Sequence, residues 1–266
     1  MKIYHYTSIE TLALILESKK IRFNRLDKVD DIEESCYGSG ETNIKLGQYQ
    51  FVSCWTKDNK ENLSLWKMYT NYKGVRIALD EDMFITYKIN DESKSFFPSP
   101  IAIDSKGDYI ISSFINEAKL YDINYISEPQ EKIKQLILKA GNNGTVIATD
   151  EIGTYKRKEW EFQKESRFKI TVLPICPNFI KTRNTGNSFD PIYSLMSALG
   201  PSIGINYPIK THYIDVPLNP DKLSHIEVML GPQTSEGEKA IVKILLKEYP
   251  QSIISKSYFD GKIKKK

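Results

Sequence analysis

Short strand-favouring runs recur along this chain, from "KIYHYT" at its start to "SIISKSYF" near its end, with only scattered helical patterns between them. That succession constrains the fold more than any other feature. Strands this short are not stable alone, so they must pair across long sequence distances. They do not alternate strictly with helices, as a parallel βαβ sheet would require. The expectation is an α+β fold, with a single mixed domain over 1–260 and a basic C-terminal tail over 261–266.

The local readings follow from residue type and period. Ile3, Tyr4 and Tyr6 favour a first strand. Thr7 fits a helix N-cap, with Glu10 three residues on to complete a capping box. Leu12, Ile15 and Leu16 then recur at helical spacing and predict a helix over 8–18. "KIRFN" reads as a second strand, and the acidic "DKVDDIEES" as a turn that begins another helix. Further strands are expected at "YQFVSCWT", "GVRIALD", "RFKITVL", "YIDVPL", "IEVMLGP" and "SIISKSYF". Helices are expected at "ENLSLWKMYT", over 128–142 ending at Gly141, and at "SEGEKAIVKILLKEY". The stretch 84–114 reads as strand, loop, strand, and 177–208, rich in Asn, Pro, Ser and Gly, as a long loop.

Several classes fall away on composition. No apolar run approaches the roughly 20 residues that span a bilayer. The opening run is broken by His5, Thr7 and Glu10 and lacks a small-residue cleavage site, so no leader is expected. Cys36, Cys54 and Cys176 are odd in number and far apart, which implies no disulfide framework and a reducing cytoplasm. His5, His212 and His225 make no H-E-x-x-H or H-x-H grouping, so no metal is expected. The 37 basic and 34 acidic side chains balance to +3, too little to announce a nucleic-acid binder. Basic residues do cluster at Lys156, Arg157 and Lys158. There is no G-x-S-x-G elbow, Walker loop or G-x-G-x-x-G.

Four segments remain as chemistry. "YHYTS" is a polar strand end before a helix N-terminus, where unpaired N–H groups suit an anionic ligand; His5 there is a ligand-binding residue or a hydrogen-bonded structural one. "SCWT" with "SLWKMY" supplies Ser53, Trp55, Trp66 and Tyr69, either as core or as a ligand platform. "KEWEFQKESRF" places Glu159, Glu161 and Glu165 before Arg167, where an ion pair is the competing reading. "LGPQTSEGEKA" is a turn and a helix start.

The order of these segments resembles a large bacterial and phage-associated domain family of unknown function. Its members open with a Y-H-Y-T-like strand and a helix leading to I-x-F. An N-D-x-x-E-like turn, an S-C-F-S…L-W-x-x-Y…G-V-x-I core, W-x-Y-E-x-E-x-R and a closing I-x-x-I-x-L-G-P follow. Here these stand as "YHYTS", "IRF", "VDDIEE", "SCWT…SLWKMYTNYKGVRIALD", "WEFQKESRF" and "HIEVMLGP". Asp30-Asp31 replaces Asn-Asp, and Gln163 replaces the first Glu, which leaves Glu165 as the acid. The opening strand with His, then Thr, then an x-x-L-x-x-I-L helix also looks like DarT-type DNA ADP-ribosyltransferases and RNA 2'-phosphotransferases.

That resemblance implies an ADP-ribosyltransferase-like split β core with flanking helices and NAD as substrate. It implies Glu165 and Tyr69 as catalytic residues, and His5, Tyr6, Thr7, Arg22, Ser53, Trp55, Trp66 and Arg167 around the cofactor. His5 would grip a ribose hydroxyl, Tyr69 or Trp66 would stack on nicotinamide, and Arg22, Arg25 or Arg167 would hold the pyrophosphate. The expected activity is transfer of ADP-ribose to RNA or DNA by a toxin or anti-phage effector, with an antitoxin or chaperone as partner. Glu165→Gln would then remove transfer and leave the fold intact. The alternatives are a non-enzymatic nucleic-acid or protein binding module and a hydrolase built on Asp30 and Asp31.

Overall fold

A computed structural model describes residues 1–35, 44–85, 109–111, 118–140, 144–147, 150–181, 184–185, 188–189 and 191–264. Cys36, Gly141 and most of the 84–114 reading lie outside the described residues. In chain order the first elements are β1 (Lys2–Thr7), α1 (Ile9–Ser18), β2 (Lys20–Arg25), β3 (Gln50–Thr56), α2 (Leu63–Thr70) and β4 (Val75–Asp80). Next come β5 (Tyr109–Ile111), β6 (Lys119–Asp122), β7 (Asn124–Ile126), α3 (Pro129–Lys134), β8 (Ile137–Ala140), β9 (Gly144–Ile147), β10 (Tyr155–Arg157) and β11 (Glu165–Pro174). The last are β12 (Asn184–Thr185), β13 (Ser188–Phe189), α4 (Pro191–Gly204), β14 (Tyr213–Pro217), α5 (Pro220–Ser224), β15 (Glu227–Leu230), α6 (Glu236–Leu245) and β16 (Ile253–Lys256).

The fold is α+β, built on a ten-stranded mixed sheet in the order β14-β2-β3-β1-β4-β15-β16, with β11 beside β3 and paired in turn with β5 and β6. Its pairings are antiparallel except β15 with β16. β3 is the branch point. Along one edge it pairs with β11 over its whole length, from Gln50↔Thr171 to Thr56↔Glu165. Along the other it meets β2 at Phe51 and Val52, then β1 at Thr56. Ser53, Cys54 and Trp55 lie between those two contacts, where β1 and β2 diverge.

Why the core sits where it does follows from alternation. β2 buries Ile21, Phe23 and Arg25 and turns Lys20, Arg22 and Asn24 outward. α1 lays Leu12, Ile15 and Leu16 onto the same core. β11 is buried on both faces: Phe168 and Val172 enter the apolar core, while Glu165, Arg167, Lys169 and Thr171 form a buried polar stripe on the other. Period 2 alone puts Glu165 and Arg167 on one face. Gly74 admits β1 beside the α2–β4 turn, since a Cβ there would lie 2.2 Å from the Thr7 carbonyl oxygen.

Four local expectations need correction. Thr7 is not the cap of α1; it stays in the β1 ladder opposite Val75, and Ser8 takes the Thr11 N–H at 3.1 Å. The capping box occurs instead at α6, where Ser235 and Glu238 satisfy each other's N–H groups. Ser235→Ala is expected to cost about 1 kcal/mol in urea denaturation; an unchanged midpoint would remove the cap's contribution. Helix 128–142 stops at Lys134, because Ile137–Ala140 pairs antiparallel with Gly144–Ile147 around a Gly/Asn-rich connection. Region 177–208 is not a plain loop: it holds the β12–β13 pair and α4, whose Ala198 and Ser202 recur at i, i+4 and are fully buried. "DKVDDIEES" makes two 3₁₀ turns, Leu26–Lys28 and Ile32–Ser35, rather than a helix start.

Candidate functional site

The divergence of β1 and β2 opens a cleft of about 540 Å³, lined by the ends of β1 and α1, the outward face of β2, and Ser53 and Cys54 of β3. Tyr69, Lys156, Glu165 and Arg167 also line it. A second cavity of about 60 Å³ shares His5, Tyr6, Cys54, Tyr69 and Glu165 with it and adds Trp55, Leu65 and Gln163. Glu165 therefore borders both.

Glu165 is the first residue of β11, and its backbone N–H donates to the Tyr125 hydroxyl of β7 at 2.8 Å. Its side chain sits in a buried ion cluster. Arg167 Nε donates to Glu165 Oε1 at 2.7 Å, and Lys156 Nζ of β10 donates to Oε2 at 2.7 Å. Glu34, from the 3₁₀ turn Ile32–Ser35, pairs with Arg167 and lies 3.0 Å from Lys156 Nζ, the latter an ion pair without hydrogen-bond alignment. Arg167 Nη1 also donates to the Gly153 carbonyl at 2.9 Å. Two carboxylates and two cations, each under 10 % exposed, thus balance to zero net charge.

Burial pushes the Glu165 carboxyl up, but Arg167, Lys156 and the Cys54 thiol more than offset it and hold it well below the usual carboxylate range. Lys156 and Arg167 stay protonated, since the two carboxylates outweigh the desolvation that opposes their charge. The sign of the linkage follows. A carboxyl depressed in the folded state adds stability above its unfolded pKa of about 4.3, lost as pH falls toward the folded value. The melting temperature is therefore expected to fall between about pH 5 and 2, and to fall less in Glu165→Gln. Equal falls in both proteins would show that Glu165 contributes nothing to acid sensitivity.

His5 stands where β3 is unpaired along its β1/β2 edge. Its Nδ1 lies 2.7 Å from the Cys54 carbonyl oxygen, which only accepts, so Nδ1 carries the proton. Burial pulls its pKa down against that hydrogen bond, so the ring is neutral and Nε2 is left as an acceptor. Tyr69 is 41 % exposed, yet its hydroxyl end faces inward and accepts from Gln163 Nε2 at 3.1 Å. Burial, with Cys54 and Glu165 nearby, pushes that hydroxyl's pKa up, so it keeps its proton as a donor. Gln163 in turn accepts from Lys156 Nζ at 2.8 Å. A continuous chain of hydrogen bonds thus joins Tyr69 to Glu165. Comparison of this chain with protein-family models, curated proteins and solved structures returned no match.

Of the residues expected at the site, His5, Tyr6, Thr7, Arg22, Ser53, Tyr69, Glu165 and Arg167 line the cleft, and Trp55 lines the smaller cavity. Trp66 lines neither. It is fully buried edge-to-face on Tyr6, with ring centroids 4.8 Å apart, and its Nε1 donates to Glu61. Arg167 reaches the cleft wall with its guanidinium committed to Glu165, Glu34 and Gly153, so its geometry is that of a cluster member rather than a pyrophosphate clamp. Arg25 is buried against Asp27 and does not line the cleft. The Tyr6 hydroxyl accepts from Asn62 N at 2.9 Å, and Ser53 Oγ accepts from Trp55 Nε1 at 3.0 Å.

The basic run 156–158 is no surface patch: Lys156 is buried in the cluster and Arg157 is paired with Glu33. Asp31 accepts the Glu33 N–H at 3.0 Å as a turn cap, while Asp30 lines the cleft. Among the described residues, no three His, Cys, Asp or Glu side chains converge as a metal site requires, and no helix is long and apolar enough to cross a membrane. Glu34, Lys156, Gln163 and Cys54 were not singled out for the site by sequence. The signals available were the place of Glu34 at the end of "VDDIEE", of Cys54 within "SCWT", of Lys156 in the basic run and of Gln163 two residues before Glu165.

Proposed function

We propose that the cleft takes NAD and that the chain transfers ADP-ribose from it to a nucleic-acid acceptor, RNA or DNA. The observation that carries this reading is an ionised, buried carboxylate, Glu165, sharing one cleft with a neutral His5 and a protonated Tyr69. NAD supplies a nicotinamide–ribose bond whose cleavage leaves positive charge on the ribose and neutral nicotinamide. A carboxylate held ionised stabilises that charge and accepts a ribose hydroxyl, and it is too weak a base to act by taking protons at neutral pH. His5 Nε2 accepts a second hydroxyl, and Tyr69 offers a ring and a donor. At the wall, Lys20, Arg22 and Lys28 with the start of α1 suit the pyrophosphate. Arg22 is already oriented by Asp215 at 2.9 Å and stacked 3.5 Å above Tyr213.

One observation favours the second reading, a binding module: the charge of Glu165 is already neutralised by Arg167 and Lys156. NAD labelled in its adenylate moiety, incubated with the purified protein and mixed cellular RNA, DNA and protein, separates the two. Label entering RNA or DNA supports the transferase, and entering protein corrects the acceptor. No label, with no thermal shift on adding NAD, leaves the binding module. A toxin or defence role predicts growth arrest on expression, relieved by Glu165→Gln. The partner in that case is an antitoxin or chaperone, and the compartment the cytoplasm.

A further inference from the structure

Glu34 meets the cleft only through other residues, and Lys156, although it lines the cleft, is committed to Glu165 and Gln163; together they complete the cluster beneath the site. We infer that they are positioning residues for Glu165, with Lys156 fixing the second carboxylate oxygen and Glu34 fixing both cations from the far side. The inference rests on the reading of Glu165 as the group that meets substrate.

Four observations carry it. Arg167 holds Oε1, donating through Nε at 2.7 Å with Nη2 2.5 Å away as an ion pair without hydrogen-bond alignment, and by itself would leave the carboxylate free to turn about its last torsion. Lys156 arrives from another strand and takes Oε2 at 2.7 Å, so the carboxylate plane is held at both ends. Lys156 also donates to Gln163, which donates to Tyr69, so one ammonium sets the two proposed catalytic groups relative to each other. Glu34 then balances the pair of cations, approaching Arg167 and Lys156 from a turn remote in sequence. Among the described residues, other polar groups near Glu165 are His5 of β1, the Cys54 thiol of β3, the Tyr125 hydroxyl of β7, which accepts from its backbone N–H, and Tyr69 of α2. A buried ion network is often matched in stability by apolar residues of similar volume, so stability alone gives no reason for one here. Precise support of a reacting carboxylate does.

The charge-balanced double variant Glu34→Gln/Lys156→Met is the test, because it removes one charge of each sign and leaves the Arg167–Glu165 pair. Two readouts are taken: kcat and KM for NAD turnover, and a ¹³C NMR titration of the glutamate carboxyls, with the Glu165 signal identified by its loss in Glu165→Gln. The double variant is expected to fold, to lose about tenfold to a hundredfold in kcat with KM within about threefold, and to shift the Glu165 titration upward by about one pH unit or more. Lys156→Arg should restore most of both. A folded double variant with unchanged kcat and an unshifted carboxyl overturns the inference, and so does a double variant that cannot fold, which makes the cluster a folding element. If the wild type turns over no NAD, the titration still decides: a shifted carboxyl keeps the positioning role while the transferase reading falls.

Discussion

Glu165→Gln is expected to lower NAD turnover by at least about a hundredfold, the scale seen when a charge-stabilising group is removed from a reaction centre. Glutamine keeps the shape and one acceptor oxygen but not the negative charge that meets the developing cation. The sequence alone predicts an otherwise intact fold for this variant, and the cluster changes that expectation. Removing the Glu165 charge leaves Lys156 and Arg167 opposite Glu34 alone, one buried positive charge in excess. Melting temperature must therefore be measured beside activity, and the assay run well below it. Glu165→Gln/Lys156→Met, with one charge of each sign removed, is the companion: it should recover stability and remain inactive. Full turnover in a folded Glu165→Gln protein would end the transferase assignment and favour the binding module.

Arg167→Met is expected to cost about 3–5 kcal/mol, the scale for breaking a buried ion pair from one side. Arg167 is 0 % exposed and holds Glu165, Glu34 and the Gly153 carbonyl together. Its loss faces two buried carboxylates with one ammonium. Against a typical total stability of about 5–15 kcal/mol, that is a large share. Arg167→Lys keeps the charge but not the planar fork and should fall between the two. Urea denaturation of the three proteins reads the order directly; a loss below about 1 kcal/mol for Arg167→Met would mean that water reaches the cluster and screens it.

Neither variant could have been weighed from the chain as written. Period and propensity determined most elements: Leu12, Ile15 and Leu16 mark one helix face, and "YQFVSCWT" and "GVRIALD" are strands because apolar, β-favouring residues persist there. The pairing of Glu165 with Arg167 was legible too, since two residues apart on a strand means one face. Local signals also misled where two patterns overlapped. The apolar residues after Lys134 fit a helix until Gly144–Ile147 claims Ile137–Ala140 as a partner, and Thr7 looks like a cap until Val75 holds it in the sheet.

What only the tertiary structure decided is which groups share a site. The sequence could name His5, Tyr69 and Glu165 as polar residues at element ends, but the cleft exists because β1 and β2 leave β3 at different residues, a register set by long-range pairing. Lys156 reads as one of three basic neighbours and turns out to be a buried partner of Glu165, whereas Trp66 reads as core or ligand platform and lies in the core. Local sequence determines what each side chain offers. Burial and charge compensation depend on strands and turns remote in sequence, and they decided which of those offers reach the cleft.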